Sequence, residues 1–227
     1  KIAERRRRAG PRSCAAQIEL EPQPPEDARL DPADLMPYDD ELTLHMANAG
    51  LRLLLGERTL VSASAFWDPA FGIPGAGDRS VFAAVFTDEE ERYHLHRIAY
   101  LTHDPQGGAD AATQLCRQVV RLAGELHLPS LTVENNGLGR FLPGLLRAEM
   151  AKARVPCSVV ERPSTRSKIE RILGALEPLL AARRLWAHRS VFATPLIAEM
   201  REWRPTGSKG AHDDGLDAVA GAILNEP

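Results

Sequence analysis

The sequence contains few cysteines, few aromatic residues and no long apolar run. Its three cysteines (Cys14, Cys116 and Cys157) form no C-x-x-C pair, which argues against a zinc site and a disulfide framework and fits a reducing cytoplasm. No apolar run approaches the roughly 20 residues of a membrane helix, and no signal-peptide pattern is present. The sequence also lacks the G-x-x-x-x-G-K-[ST] phosphate loop, so it contains no P-loop ATPase motif.

The charge is nearly balanced overall but unevenly distributed. The 227 residues carry a formal net charge of -3, and their 44% hydrophobic and 26% charged content is typical of globular proteins. The segment from Arg140 to Lys209, however, contains 14 basic residues and only 6 acidic ones. Such a segment is typical of polyanion binding, although solvated helix faces would give the same count.

The composition predicts two regions. Residues 1–57 begin with a basic run that includes Arg5 to Arg8 and continue with a segment rich in proline and acids, so we expect a linker or N-terminal extension. Within it, Asp31 to Leu35 could open a short helix, and Leu42 to Leu55 could form a helix or an edge strand. Residues 58–227 are expected to form the folded domain.

The pattern after residue 58 predicts a mixed α/β sheet. Three strands joined by short turns form an antiparallel meander, and helices and strands then alternate, so helices should cover both faces. The predicted strands are Leu60–Trp67, Ser80–Phe86, Tyr93–Leu101, Ser130–Val133, Val155–Val160 and Leu185–Ala187. The predicted helices are Ala109–His127, Leu138–Ala153, Ser164–Ala182 with Ser164 as N-cap, Ser190–Trp203 and Asp213–Leu224.

Three carboxylates lie close together near the end of the chain. His212 is followed by Asp213, Asp214 and Asp217, and then by a run of small apolar residues typical of a buried helix. Asp217 is three and four residues from the other two, so the side chains are neighbours on a helix. One or two acids are explained by helix capping, but three that converge repel one another and favour a bound cation.

Two more carboxylates are predicted at strand ends. Asp68 ends the first meander strand and Glu134 ends the strand after the first helix, and a right-handed crossover would make these two strands parallel neighbours. Functional side chains gather at such strand ends in open α/β sheets. Oxygen-only ligands suit Mg²⁺ or Mn²⁺, and two such ions can act on both the attacking and the leaving oxygen of a phosphodiester.

The ordered motifs resemble the nuclease domain of the large terminase subunits of tailed bacteriophages, which has an RNase H-like fold. The motifs are Trp67-Asp68-Pro69-Ala70 with a later Asp78-x-Ser80, Val133-Glu134-Asn135-Asn136-Gly137, Lys168-x-x-Arg171-Ile172 and His212-Asp213-Asp214-x-x-Asp217-Ala218. The resemblance implies that Asp68, Glu134 and Asp214 are catalytic metal ligands. It places Asp213 and Asp78 in auxiliary positions, and Asp217 completes the predicted metal-binding set. The predicted DNA-binding residues are Arg140, Arg166, Lys168, Arg171 and Lys209.

The resemblance implies an endonuclease that cuts double-stranded DNA with two Mg²⁺ or Mn²⁺ ions during phage genome packaging. It implies a motor ATPase domain, a portal and a small terminase subunit as partners, and action in the host cytoplasm without a membrane. The isolated domain is expected to be monomeric. Two alternatives stay open: another RNase H-like nuclease (a resolvase, a transposase-like enzyme or an RNase H), and a docking module without catalysis that binds DNA or the portal.

Overall fold

The computed structural model describes residues 30–47, 50–71, 78–134, 141–162, 167–205 and 212–226. Nine strands of one sheet lie within these ranges: β1 (Met36–Tyr38), β2 (Leu42–Ala47), β3 (Gly50–Leu55), β4 (Arg58–Asp68), β5 (Ser80–Asp88), β6 (Tyr93–Leu101), β7 (Ser130–Glu134), β8 (Ser158–Arg162) and β9 (Leu185–His188). Five α-helices accompany them: α1 (Ala111–Glu125), α2 (Leu142–Ala153), α3 (Lys168–Ala181), α4 (Leu196–Glu202) and α5 (Asp214–Leu224). The predicted mixed α/β class is confirmed.

The centre of the sheet is the predicted antiparallel meander. β4 pairs with β5 and β5 pairs with β6, both antiparallel. Successive side chains of a strand point to opposite faces, so Phe66 packs in the core on one face while Trp67 packs in the core on the other. The apolar residues of β5 divide in the same way, and all of its positions are buried. The sheet therefore has two cores.

Parallel strands extend the meander on both sides. β7 pairs with the end of β4, with Trp67 opposite Val133, and β8 pairs with β7. On the other side β9 pairs with β6 and β1 pairs with β9. The predicted parallel neighbours, the first meander strand and the strand after the first helix, are thereby confirmed. Asp68 and Glu134 consequently end at the same edge of the sheet.

Helices cover both faces, as expected. α3, α4 and α5 contribute to one core with residues such as Ile172, Leu196 and Val219, while α1 and α2 contribute Leu115 and Leu146 to the other. No helix among the described residues is both long enough and apolar enough to cross a membrane.

The described part of the region expected as a linker belongs to the sheet. Leu30 and Leu35 are buried in one core, β1 pairs with β9, and β2 and β3 form an antiparallel hairpin that continues into β4. The linker prediction is therefore wrong for the described residues between 30 and 57, because β1 pairs with a strand distant in sequence and β2 and β3 extend the meander as a hairpin. The basic run of Arg5 to Arg8 lies outside the described residues.

Two helix predictions also need correction. The N-cap of α3 is Ser167 instead of Ser164, and it forms a capping box with Glu170. The helix predicted over Ser190–Trp203 is two elements, a 3-10 helix (Arg189–Ala193) and α4. Thr194 is extended between them, because a residue that precedes a proline avoids the helical conformation.

Candidate metal centre and active site

Three carboxylates from three separate elements converge at the carboxyl end of β4. Asp68 ends β4, Glu134 ends the parallel neighbour β7, and Asp217 lies in the first turn of α5. One oxygen from each lies within 4.8 Å of the others, which is close enough for a single ion to contact all three. Asp217 is 3% exposed, while Asp68 and Glu134 are partly buried.

Burial and repulsion from neighbouring carboxylates disfavour the charged forms of Asp68 and Asp217. Burial first, and then the charges of Glu134 and Asp217, raise the pKa of Asp68 to about 8. Burial also raises the pKa of Asp217 to about 6, although Arg171 and Lys168 oppose that shift. In the metal-free protein Asp68 is therefore largely protonated at neutral pH, and a bound cation would favour its charged form.

The raised pKa of Asp68 gives a pH-dependent prediction for Asp68→Asn. A carboxyl whose folded pKa lies above its unfolded value near 3.8 stabilises the fold at low pH, and this stability is lost as the pH rises towards 8. In EDTA the melting temperature of the parent should fall over this range more than that of Asp68→Asn. Each pKa unit corresponds to about 1.4 kcal/mol, or about 3–6 °C for a chain of this size, so at pH 8 the variant should melt at least this much higher. Glu89→Gln, which changes an exposed acid, is the control and should melt like the parent at each pH. If the melting temperature of Asp68→Asn depended on pH as that of the parent does, the raised pKa of Asp68 would be contradicted.

Two cations from α3 neutralise part of the acidic cluster. The Nη2 atom of Arg171 lies 2.5 Å from Oδ2 of Asp217, and its Nη1 atom lies 3.5 Å from Oε2 of Glu134. Lys168 lies one turn earlier, with its Nζ atom 2.6 Å from Asp213 and 3.5 Å from Asp214. Burial alone would lower the pKa of Lys168, but these acids raise it above its usual value. The first turn of α3 thus faces the acids.

A buried glutamate caps the helix that carries the acids. Oε2 of Glu199, on α4, accepts hydrogen bonds from the backbone N–H groups of Gly215 (2.8 Å) and Leu216 (3.3 Å). Its Oε1 accepts one from the hydroxyl of Tyr100 at 2.9 Å. Asp213 stands at the N-cap position but makes no capping hydrogen bond with its side chain. Capping therefore does not explain the acids of α5, because another residue supplies that cap.

Gly215 is required for this close approach. A Cβ atom at this position would lie 2.0 Å from the hydroxyl of Tyr100 and 2.7 Å from Oε2 of Glu199. Neither side chain could keep its place. The glycine between Asp214 and Leu216 thus lets the first turn of α5 pack directly against the capping glutamate.

Glu199→Ala is expected to lower the melting temperature, because two buried backbone N–H groups and the partly buried hydroxyl of Tyr100 lose their acceptor. A loss of about 2 kcal/mol, within the range for unsatisfied buried groups, corresponds to about 4–8 °C for a chain of this size. Glu202→Ala, on the exposed side of the same helix, is the control and should change it by less than about 2 °C. Equal melting temperatures for the two variants would show that the capping contacts contribute little.

The donor set fits a hard divalent cation. Three carboxylates supply oxygen only, as Mg²⁺ and Mn²⁺ prefer, and no cysteine or histidine of the described ranges joins them. In addition, Oδ1 of Asp217 is fully buried and accepts no hydrogen bond. A buried carboxylate oxygen normally has a partner, and an ion held between Asp68, Glu134 and Asp217 would provide one.

Comparisons with known proteins give matches of structure alone. No family model matches the sequence, and neither does any curated protein. The nuclease domain of the large terminase subunit gp2 of bacterial virus Sf6 has a TM-score of 0.51 and 13% identity, covering 71% of this chain and 87% of that one. The human cytomegalovirus terminase nuclease domain has a TM-score of 0.51 and 12% identity, covering 71% of this chain and 82% of that one. This chain has the RNase H-like fold of the terminase nuclease domains.

Within this fold, only three of the six predicted metal ligands lie together in the three-carboxylate cluster. Asp217 joins Asp68 and Glu134, whereas Asp214, which the resemblance favoured, accepts a hydrogen bond from the backbone N–H of Arg79 at 3.1 Å. Asp213 is 34% exposed and pairs with Lys168. Asp78 is exposed, just ahead of β5, and is not part of the three-carboxylate cluster. Direct metal binding by Asp213, Asp214 and Asp78 stays a prediction.

The predicted DNA-binding residues divide into two groups. Arg140, Arg166 and Lys209 lie outside the described residues. Lys168 and Arg171 are described, and their charged groups are directed at the acids instead of at open solvent. Phosphate contact by these two residues stays a prediction, but charge reversal at Arg171 would also place a carboxylate beside Asp217. That change is therefore expected to destabilise the fold as well.

Arg171→Met tests whether a bound divalent ion can take over the charge neutralisation that Arg171 provides to Asp217 and Glu134. In EDTA the variant should melt about 4–8 °C lower, because a largely buried ion pair contributes about 2 kcal/mol, between the values for exposed and fully buried pairs. Saturating Mn²⁺ should recover most of this loss, since a divalent ion would supply positive charge to the same carboxylates. Arg147→Met, which removes a half-exposed pair with Glu161, is the control and should cost less than about 4 °C in either buffer. An equal loss with and without Mn²⁺ would mean that Arg171 and the ion act independently.

Proposed function

We propose that this chain is a divalent-metal-dependent endonuclease that hydrolyses phosphodiester bonds of double-stranded DNA. The observation that carries the proposal is the convergence of Asp68, Glu134 and Asp217 from three elements onto one point. Such a site on a strand edge, without a hydroxyl or thiol nucleophile in the cluster, is suited to hydrolysis by positioning and electrostatics instead of by a covalent intermediate.

The residues of the site would divide the work between them. Asp68, Glu134 and Asp217 would hold two Mg²⁺ or Mn²⁺ ions, with Asp213 and Asp214 at the outer side. When bound, such ions stabilise charge on the phosphate and lower the pKa of water. Arg171 holds the carboxylate of Asp217 in place, and Glu199 fixes the turn of α5 from which Asp214 and Asp217 project. The proposed metal agrees with a point mutant of the Sf6 nuclease domain that was solved with manganese.

The similarity to terminase nuclease domains suggests the biological setting. We infer that the chain cuts DNA during packaging of a phage genome, in a host cell. A motor ATPase, a portal and a small terminase subunit would then be its partners, and the motor would lie outside this sequence, which has no phosphate loop.

Plasmid cleavage tests the proposal in one assay. Supercoiled DNA should be nicked and linearised with Mg²⁺ or Mn²⁺, with little sequence preference, and EDTA should stop the reaction. A preparation of Asp68→Asn, purified in parallel, controls for contaminating nucleases. Cleavage that persists in EDTA or requires zinc would exclude the proposed metal centre. A folded protein that binds DNA but never cuts it would favour the docking module.

A further inference from the structure

Two exposed phenylalanines stack on each other beside the carboxylate cluster. Phe71 is 39% exposed and Phe141 is 57% exposed, and their ring centroids are 6.4 Å apart with an interplanar angle of 24°. The chain has six phenylalanines, and Phe66, Phe82 and Phe86 are all buried in the two cores. Phe192 is also exposed, but Phe71 and Phe141 are the two exposed phenylalanines that stack on each other, and they leave a joint apolar surface in solvent.

The chain path places the pair at the edge of the sheet that carries the acids. Phe71 follows Asp68 by three residues, so their Cα atoms are at most about 11 Å apart. Phe141 directly precedes α2, in the connection that follows Glu134, and its stacking on Phe71 brings it to the same place. At a rise of about 3.4 Å per nucleotide, a few nucleotides of one DNA strand are long enough to reach from a phosphate at the acids to the rings.

Exposed aromatic rings next to a phosphodiester site suit one class of ligand. Phosphates are bound by cations and backbone N–H groups, whereas aromatic rings bind the flat faces of bases. A continuous duplex hides these faces by stacking them on one another, so the rings require a base that is unpaired or pushed out of its stack. Metal binding, helix capping and core packing involve other residues and give these rings no role.

We propose that Phe71 and Phe141 form a platform on which an unpaired or unstacked base lies next to the scissile phosphate. The preferred substrate is then DNA with locally opened base pairs, at a distortion, a junction or a single-stranded stretch. This inference rests on the proposed function, because that function places the phosphate at the acids.

Binding to matched DNA probes tests the platform. In the Asp68→Asn background, which should not cut, affinity is measured by fluorescence anisotropy for a 30-base-pair duplex and for the same duplex with three central mismatches. The mismatched probe should bind more tightly. Phe71→Ala and Phe141→Ala should each weaken its binding by about 5- to 150-fold, the range for one stacked base, with less than about a twofold change for the perfect duplex. A 2-aminopurine in the mismatch should be quenched by the parent and less by the variants.

Three further variants distinguish aromatic stacking from the effects of side-chain size and of losing an exposed phenylalanine elsewhere. Phe141→Trp should keep the preference for the mismatched probe, whereas Phe141→Leu should lose it. Phe192→Ala removes a third exposed phenylalanine, which follows β9, and β9 lies three strands from β4 in the sheet. This control should change the affinity for neither the mismatched probe nor the perfect duplex. Unchanged melting temperatures establish that the variants fold.

The outcomes distinguish the platform from the proposed function. If the parent cuts plasmid DNA but binds both probes equally, or if the phenylalanine variants weaken both equally, the platform is overturned and the nuclease stands. If the parent neither cuts nor binds DNA, both are overturned.

Discussion

Asp217→Asn should lower the rate of metal-dependent DNA cleavage by about 1,000-fold or more. The change removes one of three converging carboxylates while keeping the shape of the side chain. Loss of about 4 kcal/mol of charge stabilisation in the transition state, at 1.36 kcal/mol for each tenfold in rate, gives this magnitude. Initial rates of plasmid nicking in Mn²⁺, measured at equal concentrations of folded protein, provide the test.

Two neighbouring acids provide matched controls for Asp217. Asp213→Asn should keep the rate within about tenfold, because Asp213 is one-third exposed and lies outside the cluster. Asp214→Asn should lose about 10- to 100-fold, as expected for a residue that orients the site without holding the ion. A loss of 1,000-fold for Asp214→Asn with little effect of Asp217→Asn would reverse their roles and restore the ligand set that the resemblance implied.

Mn²⁺ should raise the melting temperature of the parent by about 8–16 °C when its concentration is 1,000 times the dissociation constant. Binding to the folded state alone contributes about 4 kcal/mol at that excess, and each kcal/mol corresponds to about 2–4 °C here. Asp68→Asn should lose most of this gain, because its amide cannot balance the charge of the ion. The measurement is a series of melts across Mn²⁺ concentrations at pH 8, each compared with EDTA.

An exposed acid serves as control for general effects of the metal. Glu89→Gln should retain the full gain, since Glu89 lies in the turn between β5 and β6, away from the cluster. Equal gains for the parent and Asp68→Asn would place the Mn²⁺ site elsewhere on the protein. Calorimetric titration of the parent would then give the number of ions and their affinity directly.

The central fold could be predicted because its signals are local. Strand β6 has the bounds Tyr93–Leu101 that its pattern predicted, and the meander follows from turns of a few residues. Within residues 30–57, β1 was missed because its partner is distant in sequence, and the hairpin of β2 and β3 was missed because its strands are short and mostly exposed. Met36 pairs with Trp186, for example, and a three-residue strand is too short to show a hydrophobic pattern from which that contact could be predicted.

The site was predictable in composition but not in its detailed contacts. Strand ends and a dense acidic stretch are visible in the sequence, so Asp68, Glu134 and the α5 acids were found. Asp214 and Asp217 are three residues apart on one helix, and only the packing of α5 against β4 and β5 decides which of them meets Asp68. Glu199 was overlooked, although a signal existed: it lies between Leu196, Met200 and Trp203 on the apolar stripe of its helix.

The cap that Glu199 provides has a consequence for how such a site can change over evolution. Because a residue of α4 satisfies the first N–H groups of α5, the acids of α5 are not needed to keep that helix folded. Substitutions among Asp213, Asp214 and Asp217 can therefore alter or abolish chemistry without removing the scaffold. Substitutions at Glu199, Gly215 or Tyr100, by contrast, would disturb the packing on which the helix itself depends.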